Sequence, residues 1–348
     1  MTRVVGIDPG TVSVDVCGLV DGRIYLDRSW PTPDALAQPQ QFIELLTASG
    51  APDLIAGPSG YGLPLIRAAE ATDTDLRLAF LAAPDEAGGI GGLRGLVRRL
   101  GAAGLPVIYT PGVIHLGTVP AHRKVNRVDL GTADKLCATV LAVRNYCERR
   151  SRSPGEASFI LVELGGAFTA AIAVERGQVV DGVGGTSGSI GWRAAGALDG
   201  EVAFLAGSIS KAALFQGGVD SLIARGEPEL ALRAYLEGVE KTVRLLHCSA
   251  PSADEVLLSG RHASDASLRQ ALATRLGDIG PILELTGGAA AAKQGAEGAA
   301  LMADGLAGGA SQAIVDRLKI RESSGSVLDH LVFISPAAAR QRLGIPHD

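Results

Sequence analysis

The amino-acid sequence predicts two α/β domains of similar architecture, each built on a mixed five-stranded sheet. A chain of 348 residues is long enough for two domains of ordinary size. The segments 4–26 and 159–181, about 155 residues apart, both run strand, glycine turn, strand, hairpin, strand. A repeated opening of this kind is typical of a duplicated architecture, in which the cleft between the halves would be the natural ligand site.

The composition restricts the class of protein. Hydrophobic residues make up 47% of the chain and aromatic residues only 4%, which suits buried parallel strands flanked by Ala-rich helices. A formal net charge of −5 argues against a nucleic-acid partner, since such surfaces are normally basic. The four cysteines are widely scattered and suggest neither a zinc site nor a disulfide framework. No leader and no apolar run of about 18 residues is apparent, so we expect a cytoplasmic protein with no membrane partner.

The elements of the first half follow from the hydrophobic pattern. Residues 4–7 predict a strand, residues 12–20 a second strand, and Asp21-Gly22 a hairpin turn into a third. Further along, the pattern predicts a helix over 39–49, a strand over 53–57 with a substrate-side loop at 59–62, a helix over 93–100, a strand over 106–109 and a helix over 132–149.

The second half repeats the opening after a polar break at residues 149–155. This break is the predicted boundary between an N-terminal domain, residues 1–153, and a C-terminal domain, residues 154–348. Residues 159–162 and 168–174 then predict two strands, with a hairpin at Arg176-Gly177 leading into a third strand.

Two glycine turns carry the predicted chemistry. Glycine turns between antiparallel strands can present backbone N–H groups to a phosphate without an intervening side chain. The segments Asp8-Pro-Gly-Thr11 and Glu163-Leu-Gly-Gly166 both fit this pattern. If the turns face each other they would bracket a triphosphate, with Asp8 and Glu163 reaching Mg²⁺ directly or through water. Taken singly, an Asp-Pro-Gly turn is more often structural.

Four segments, in order along nearly the whole chain, resemble motifs of the actin/sugar-kinase/Hsp70 superfamily. They are the first phosphate motif at residues 5–11, the second at 162–166, the adenosine motif Val-Leu-Leu-Ser-Gly-Arg at 256–261 and the small-residue helix at 295–300. The resemblance implies duplicated actin-like (ribonuclease H-like) domains with an interdomain nucleotide cleft, and residues after about 310 packing back on the first domain. It also implies ATP with Mg²⁺, held by Gly10, Thr11, Gly165 and Gly166, with adenine near Gly260, Arg261, Gly287 and Gly288.

Within the superfamily the chain is most similar to the acetate/butyrate kinase branch, particularly to an uncharacterised family labelled predicted butyrate kinase. Residues 126–135 are similar to a family stretch with a His-Gly-Thr-Ser-His-Lys core, and residues 184–188 and 197–201 look like acceptor-side loops. The sequence departs from characterised acid kinases at several positions. Leu130 and Asp134 stand where those enzymes carry histidines, and Asp8 stands where they carry Asn. Glu163 replaces the small or His-preceded residue with which their second phosphate turn usually starts.

The chemistry of the acceptor decides which side chains matter. A carboxylate acceptor is already ionised and needs positive charge, often from Arg, to hold two anions together. A hydroxyl acceptor instead benefits from a carboxylate base. The arginine candidates are Arg127, Arg193 and Arg261, the base candidates are Asp129, Asp134 and Asp199, and the predicted acceptor side is lined by Arg193, Asp199 and Glu201.

The sequence thus predicts an ATP-dependent phosphotransferase acting on a small molecule, a short carboxylate being the substrate class that the resemblance implies. A sugar or polyol kinase, and a non-catalytic ATP-binding regulator or assembly factor of the same fold, stay open as alternatives. Whether the protein forms a homodimer is also open.

Overall fold

The structure, a computed structural model, describes residues 1–10, 12–58, 60–82 and 91–346. Thr11 and Ser59, both in predicted ligand loops, lie outside the described residues. Contacts between Cα atoms divide the chain into two compact units. The first unit comprises Met1–Val128, Thr132–Gly155 and Thr286–Asp348, and the second comprises Asp129–Gly131 and Glu156–Leu285.

Groups of strands are followed by groups of helices along the chain. The strands are β1 (Arg3–Pro9), β2 (Ser13–Val20), β3 (Arg23–Pro31), β4 (Leu54–Pro58), β5 (Ile66–Arg67), β6 (Val107–Thr110), β7 (Phe159–Leu164), β8 (Thr169–Glu175), β9 (Gln178–Val183), β10 (Val256–Ser259) and β11 (Ile282–Glu284). The α-helices are α1 (Thr32–Ala37), α2 (Pro39–Thr47), α3 (Asp73–Phe80), α4 (Gly91–Ala102), α5 (Ala121–Lys124), α6 (Ala133–Arg150), α7 (Gly200–Ala206), α8 (Val219–Ala224), α9 (Pro228–His247), α10 (Ala266–Leu276), α11 (Gln294–Leu306), α12 (Gln312–Arg317) and α13 (Pro336–Arg342).

The two sheets repeat one topology. The first has six strands in the order β3-β2-β1-β4-β6-β5, and the second has five in the order β11-β10-β7-β8-β9. In each, the opening three strands pair antiparallel, and two later strands run parallel to the first. These later strands are β4 and β6 in the first sheet and β10 and β11 in the second. The prediction of two α/β domains with a duplicated opening is therefore confirmed. The sixth strand is the difference, and it arises because Ile66–Arg67 adds two residues antiparallel to β6.

The chain returns to the first unit immediately after β11. We expected the return after about residue 310, but the contacts place it at Thr286. The reason is α11, a helix of small residues whose positions from Gly295 to Gly305 are all buried. A Cβ at Gly6 of β1 would lie 2.1 Å from the Ala300 nitrogen of α11, so the strand and helix backbones are in direct contact.

Each unit has its own aliphatic core, as the composition predicts. Val5, Ile7 and Ile55 belong to the core of the first unit, and Ile160 and Val162 to that of the second. In the part of the chain that the structure describes, no helix combines the length and apolar character needed to cross a membrane.

Candidate functional site

The first glycine turn joins β1 to β2. The Gly10 amide donates to the Ser13 carbonyl oxygen (2.9 Å) and to the Asp8 carbonyl oxygen (3.1 Å), and the Thr32 hydroxyl donates to the Gly10 carbonyl (2.6 Å). A Cβ at Gly10 would lie 2.8 Å from the Ser13 carbonyl oxygen. Glycine is therefore the residue that lets the strands approach this closely.

Two carboxylates flank this turn, because the antiparallel register places Asp8 directly opposite Asp15. The fully buried Asp15 accepts hydrogen bonds at Oδ2 from the Ser13 hydroxyl (2.8 Å) and from Lys293 Nζ (2.9 Å). Its Oδ1 is buried and has no hydrogen-bond partner among the described residues. The base of the turn is thus a buried charged cluster.

Asp8 faces the start of α11. A Cβ at Gly295 would lie 2.6 Å from Asp8 Oδ2, so the first turn of the helix leaves room only for glycine there. Burial, with the nearby charge of Asp134, raises the pKa of Asp8 to about 7, and the ammonium groups of Lys293 and Lys135 act in the opposite direction. Asp8 therefore takes up or releases a proton close to neutral pH.

Asp134 and Lys135 form a further ion pair at the start of α6. Lys135 Nζ contacts Asp134 Oδ2, and the Thr132 hydroxyl donates to Asp134 Oδ1. Burial acts to raise the pKa of Asp134, but the Lys135 ammonium and these hydrogen bonds outweigh it and hold that pKa below its usual value. Asp134 is accordingly ionised, with both carboxylate oxygens engaged.

The first unit also contains the predicted adenine-side loop, Gly287-Gly288. The buried Glu297 of α11 accepts hydrogen bonds from the Gly288 amide (2.9 Å) and the Ala289 amide (3.0 Å). A Cβ at Gly287 would lie 2.1 Å from Glu297 Oε2. These glycines therefore let the loop close on a buried carboxylate.

The second glycine turn joins β7 to β8 in the same way as the first. The Gly165 amide donates to the Phe168 carbonyl oxygen (3.1 Å), and Glu163 Oε2 accepts from the Ser259 hydroxyl (3.4 Å). A Cβ at Gly166 would lie 3.4 Å from Arg261 Cδ, which is an ordinary contact. The turn thus has a carboxylate at its start and an arginine beside its second glycine.

Arg261 reaches this position because the chain after β10 folds back on the end of β7. Gly260 has a φ of +87°, a conformation that favours glycine, and a Cβ there would lie 2.9 Å from the Leu164 carbonyl group. The His262 amide then donates to the Leu164 carbonyl oxygen (3.0 Å). The side chain of Arg261 is left exposed beside the turn.

Arg193 belongs to a segment that is hydrogen-bonded to the same turn. Its amide donates to the Ala167 carbonyl oxygen (3.0 Å), and its exposed guanidinium lies 5.5 Å from the centroid of the Phe215 ring. That ring packs edge-on against Phe168, with the centroids 4.9 Å apart. Two arginine residues, Arg193 and Arg261, therefore flank the second turn.

Asp129 anchors the Gly184–Gly188 loop. Its buried carboxylate accepts hydrogen bonds at Oδ2 from the Thr186 amide (3.1 Å) and hydroxyl (2.9 Å), and at Oδ1 from the Gly131 amide (3.2 Å). A Cβ at Gly184 would lie 1.8 Å from Asp129 Oδ1. The carboxylate is thus committed to holding the loop, and its predicted catalytic role stays a prediction.

The other predicted catalytic residues are exposed. Asp199 is the N-cap of α7, where its side chain accepts a hydrogen bond from the Glu201 amide (2.8 Å). Glu201 and Arg127 also lie on the surface. Within the described residues, no side-chain hydrogen bond or ion pair joins these three residues to either glycine turn, and their roles stay predictions.

The described residues contain no group of three or more His, Cys, Asp or Glu side chains that could hold a metal ion. Mg²⁺ commonly needs fewer protein ligands, since one or two carboxylates, phosphate oxygens and water complete its shell. Asp8 at the first turn and Glu163 at the second fit that requirement as single carboxylates.

Sequence reasoning did not identify Asp15, Lys293 or His262. Pairing the strands across the first turn would have placed Asp15 opposite Asp8, but no pattern marks Lys293. His262 stacks on Trp192 with ring centroids 4.0 Å apart, and its Nε2 is buried without a hydrogen-bond partner among the described residues. Burial and the neighbouring Arg261 lower the pKa of His262.

Comparison with solved structures identifies the fold. The structure is similar to a propionate kinase from Francisella tularensis subsp. tularensis SCHU S4, with 14% identity and a TM-score of 0.60 over 86% of this chain and 98% of that chain. An acetate kinase from Entamoeba histolytica has 12% identity and a TM-score of 0.56 over 80% and 87% of the two chains. A Porphyromonas gingivalis acetate kinase has 14% identity and a TM-score of 0.53 over 80% and 88%.

The chain therefore has a fold that it shares with these acetate and propionate kinases, in agreement with the fold that the sequence motifs implied. No curated protein matches the sequence. Residues 6–333 match the sequence family described as "Protein of unknown function (DUF1464)", and the chain belongs to that family.

Proposed function

We propose that this protein is an ATP-dependent phosphotransferase that transfers a phosphoryl group to a short carboxylate. The observation that carries the proposal is the pair of glycine turns in corresponding positions of two repeated sheets. These turns belong to a fold shared with a propionate kinase along nearly the whole of that chain.

Both turns have the features that phosphate binding requires. Gly10, Gly165 and Gly166 carry no side chains, so phosphate oxygens can approach the backbone of each turn closely. Asp8 and Glu163 are the carboxylates that would hold Mg²⁺. Bound MgATP would supply the phosphoryl group, and Mg²⁺ would neutralise charge on the transferring oxygens.

The side chains beside the second turn favour a carboxylate acceptor. Arg261 and Arg193 both flank this turn, and a guanidinium can hold a carboxylate and a phosphate against their mutual repulsion. A hydroxyl acceptor would benefit from a base, but Asp129 is already occupied by loop hydrogen bonds. Since a carboxylate needs no base, the arrangement fits it better.

Acyl phosphate formation tests the proposal. The assay measures ADP release from MgATP with a panel of short carboxylates, with hydroxylamine present to trap any acyl phosphate as a hydroxamate. We expect a hydroxamate with at least one carboxylate and roughly a hundredfold lower rate in Arg193→Ala, because a charge-assisted contact to the transition state is lost. Arg233→Ala is a suitable control, since Arg233 is an exposed residue of α9.

Two results would contradict a carboxylate acceptor. ADP release without hydroxamate, together with a larger loss in Asp129→Asn, Asp134→Asn or Asp199→Asn than in Arg193→Ala, would indicate a hydroxyl acceptor such as a sugar or polyol. Tight MgATP binding without acceptor-stimulated turnover would instead indicate an ATP-binding regulator. The second alternative draws support from Asp199, a predicted catalytic residue that caps a helix at the surface.

A further inference from the structure

Lys293 places an ammonium group against the bare face of the first glycine turn. A Cβ built on Gly10 would lie 3.0 Å from Lys293 Nζ, so the ammonium takes the space that a side chain would otherwise fill. We infer that Lys293 is a phosphate-binding residue, contacting the terminal phosphates of the nucleotide at Gly10. This inference rests on the proposed function and assigns one residue of its nucleotide site.

The backbone of Lys293 is held in place from both sides. Asp27 accepts hydrogen bonds from the Ala290 and Ala292 amides (2.7 Å each), which fixes the segment just before the lysine. On the other side Lys293 is the N-cap residue of α11. A side chain that starts from so restrained a backbone loses less conformational freedom when it binds a ligand.

Asp15 directs the ammonium toward the turn. The Lys293 Nζ–Asp15 Oδ2 distance is 2.9 Å, and the exposed fraction is 1% for the Asp15 side chain against 46% for the Lys293 side chain. The pair is therefore buried at its anionic end and accessible at its cationic end. Because an ammonium group carries several N–H donors, Nζ can keep its bond to Asp15 while donating to a phosphate oxygen.

The charge around the turn makes such a cation necessary. Asp8, Asp15 and Asp134 all lie in this cluster, and a polyphosphate adds further negative charge. Lys135 is already in contact with Asp134, whereas Lys293 reaches the glycine itself. A lysine can serve as a point charge for phosphate, as the lysine of phosphate-binding loops does.

Calorimetric titration with MgATP tests the assignment in the full-length chain. We expect Lys293→Met to weaken binding at least about tenfold, which is what losing one charge-assisted contact costs, and Lys293→Arg to stay within about threefold of wild type. Lys241→Met is the matched control. Lys241 is an exposed lysine ion-paired with Glu237 on α9, so its loss should leave the affinity unchanged.

Removing Lys293 alone leaves Asp15 as an unpaired buried charge, which would destabilise the fold. The double variant Lys293→Met/Asp15→Asn removes that charge, and we expect it to recover thermal stability but not MgATP affinity. Undiminished affinity in folded Lys293→Met, or equal losses in the Met and Arg variants, would overturn the assignment alone. A wild-type protein that binds no MgATP would overturn the proposed function as well.

Discussion

Gly166 shows how a single residue can separate ligand binding from folding. A Cβ at this position meets only the flexible side chain of Arg261, at an ordinary contact distance of 3.4 Å. Gly165 differs, because its Cβ would lie 2.7 Å from the Phe168 carbonyl oxygen. A larger residue is therefore compatible with the fold at 166 but not at 165.

We predict that Gly166→Val folds normally but binds MgATP at least about tenfold more weakly, since its branched side chain would cover the backbone that faces the phosphates. Calorimetry checks the affinity and a thermal melt checks the fold. Gly117→Val is the matched control, because a Cβ at Gly117 meets nothing within 4 Å. Equal affinity in folded Gly166→Val and wild type would remove the second turn from the nucleotide site.

At the scale of single elements, α11 is a buried helix in close backbone contact with its neighbours in the first unit. It packs against α6 as well as β1, and a Cβ at Gly298 would lie 1.9 Å from the Cys137 carbonyl oxygen of α6. The same helix carries Glu297 and is preceded by Lys293, so the packing that fixes the helix also fixes both side chains. A disturbance of this interface should therefore reach the candidate site.

We predict that Gly298→Ala lowers the free energy of unfolding by about 3 kcal/mol, because the backbones must separate to admit one methyl group. Urea denaturation measures this change. Gly95→Ala in α4 is the control, since its Cβ would meet nothing within 4 Å, and there we expect a gain of about 0.5–1 kcal/mol from helix propensity. A stability loss of similar size in both variants would contradict the close packing of α11.

Some of the individual elements could be predicted from the sequence and others could not. The hairpin openings, the long helix near 132–149 and the glycine turns follow from local periodicity and turn chemistry, which short segments contain in full. The strand β5 could not be predicted in this way, because two residues are too few to show the alternation of apolar and polar side chains that marks a strand. The early return at Thr286 and the Lys293–Asp15 pair also escape prediction, since both depend on tertiary contacts between distant parts of the chain.

For the molecule as a whole, buried ionisable groups link stability to pH. Burial lowers the pKa of His115 to about 4, and the charge of Lys124 acts in the same direction while Asp329 opposes it. An unfolded histidine has a pKa near 6.5, so between about pH 6.5 and 4 the unfolded chain binds a proton that the folded chain does not. The unfolding free energy should then fall as the pH is lowered through this range.

We predict that His115 accounts for up to about 3 kcal/mol of this loss, and that His115→Gln removes that contribution. Urea denaturation at several pH values measures the difference between the two proteins.

Asp8, whose pKa is raised, contributes with the opposite sign, because its stabilisation is lost as the pH rises. Both proteins share Asp8, so the difference between their pH profiles reports His115. His122→Gln, a change at an exposed position of α5, should follow the wild-type profile. Parallel profiles for His115→Gln and wild type from pH 4 to 6.5 would show that His115 is not held neutral in the folded protein.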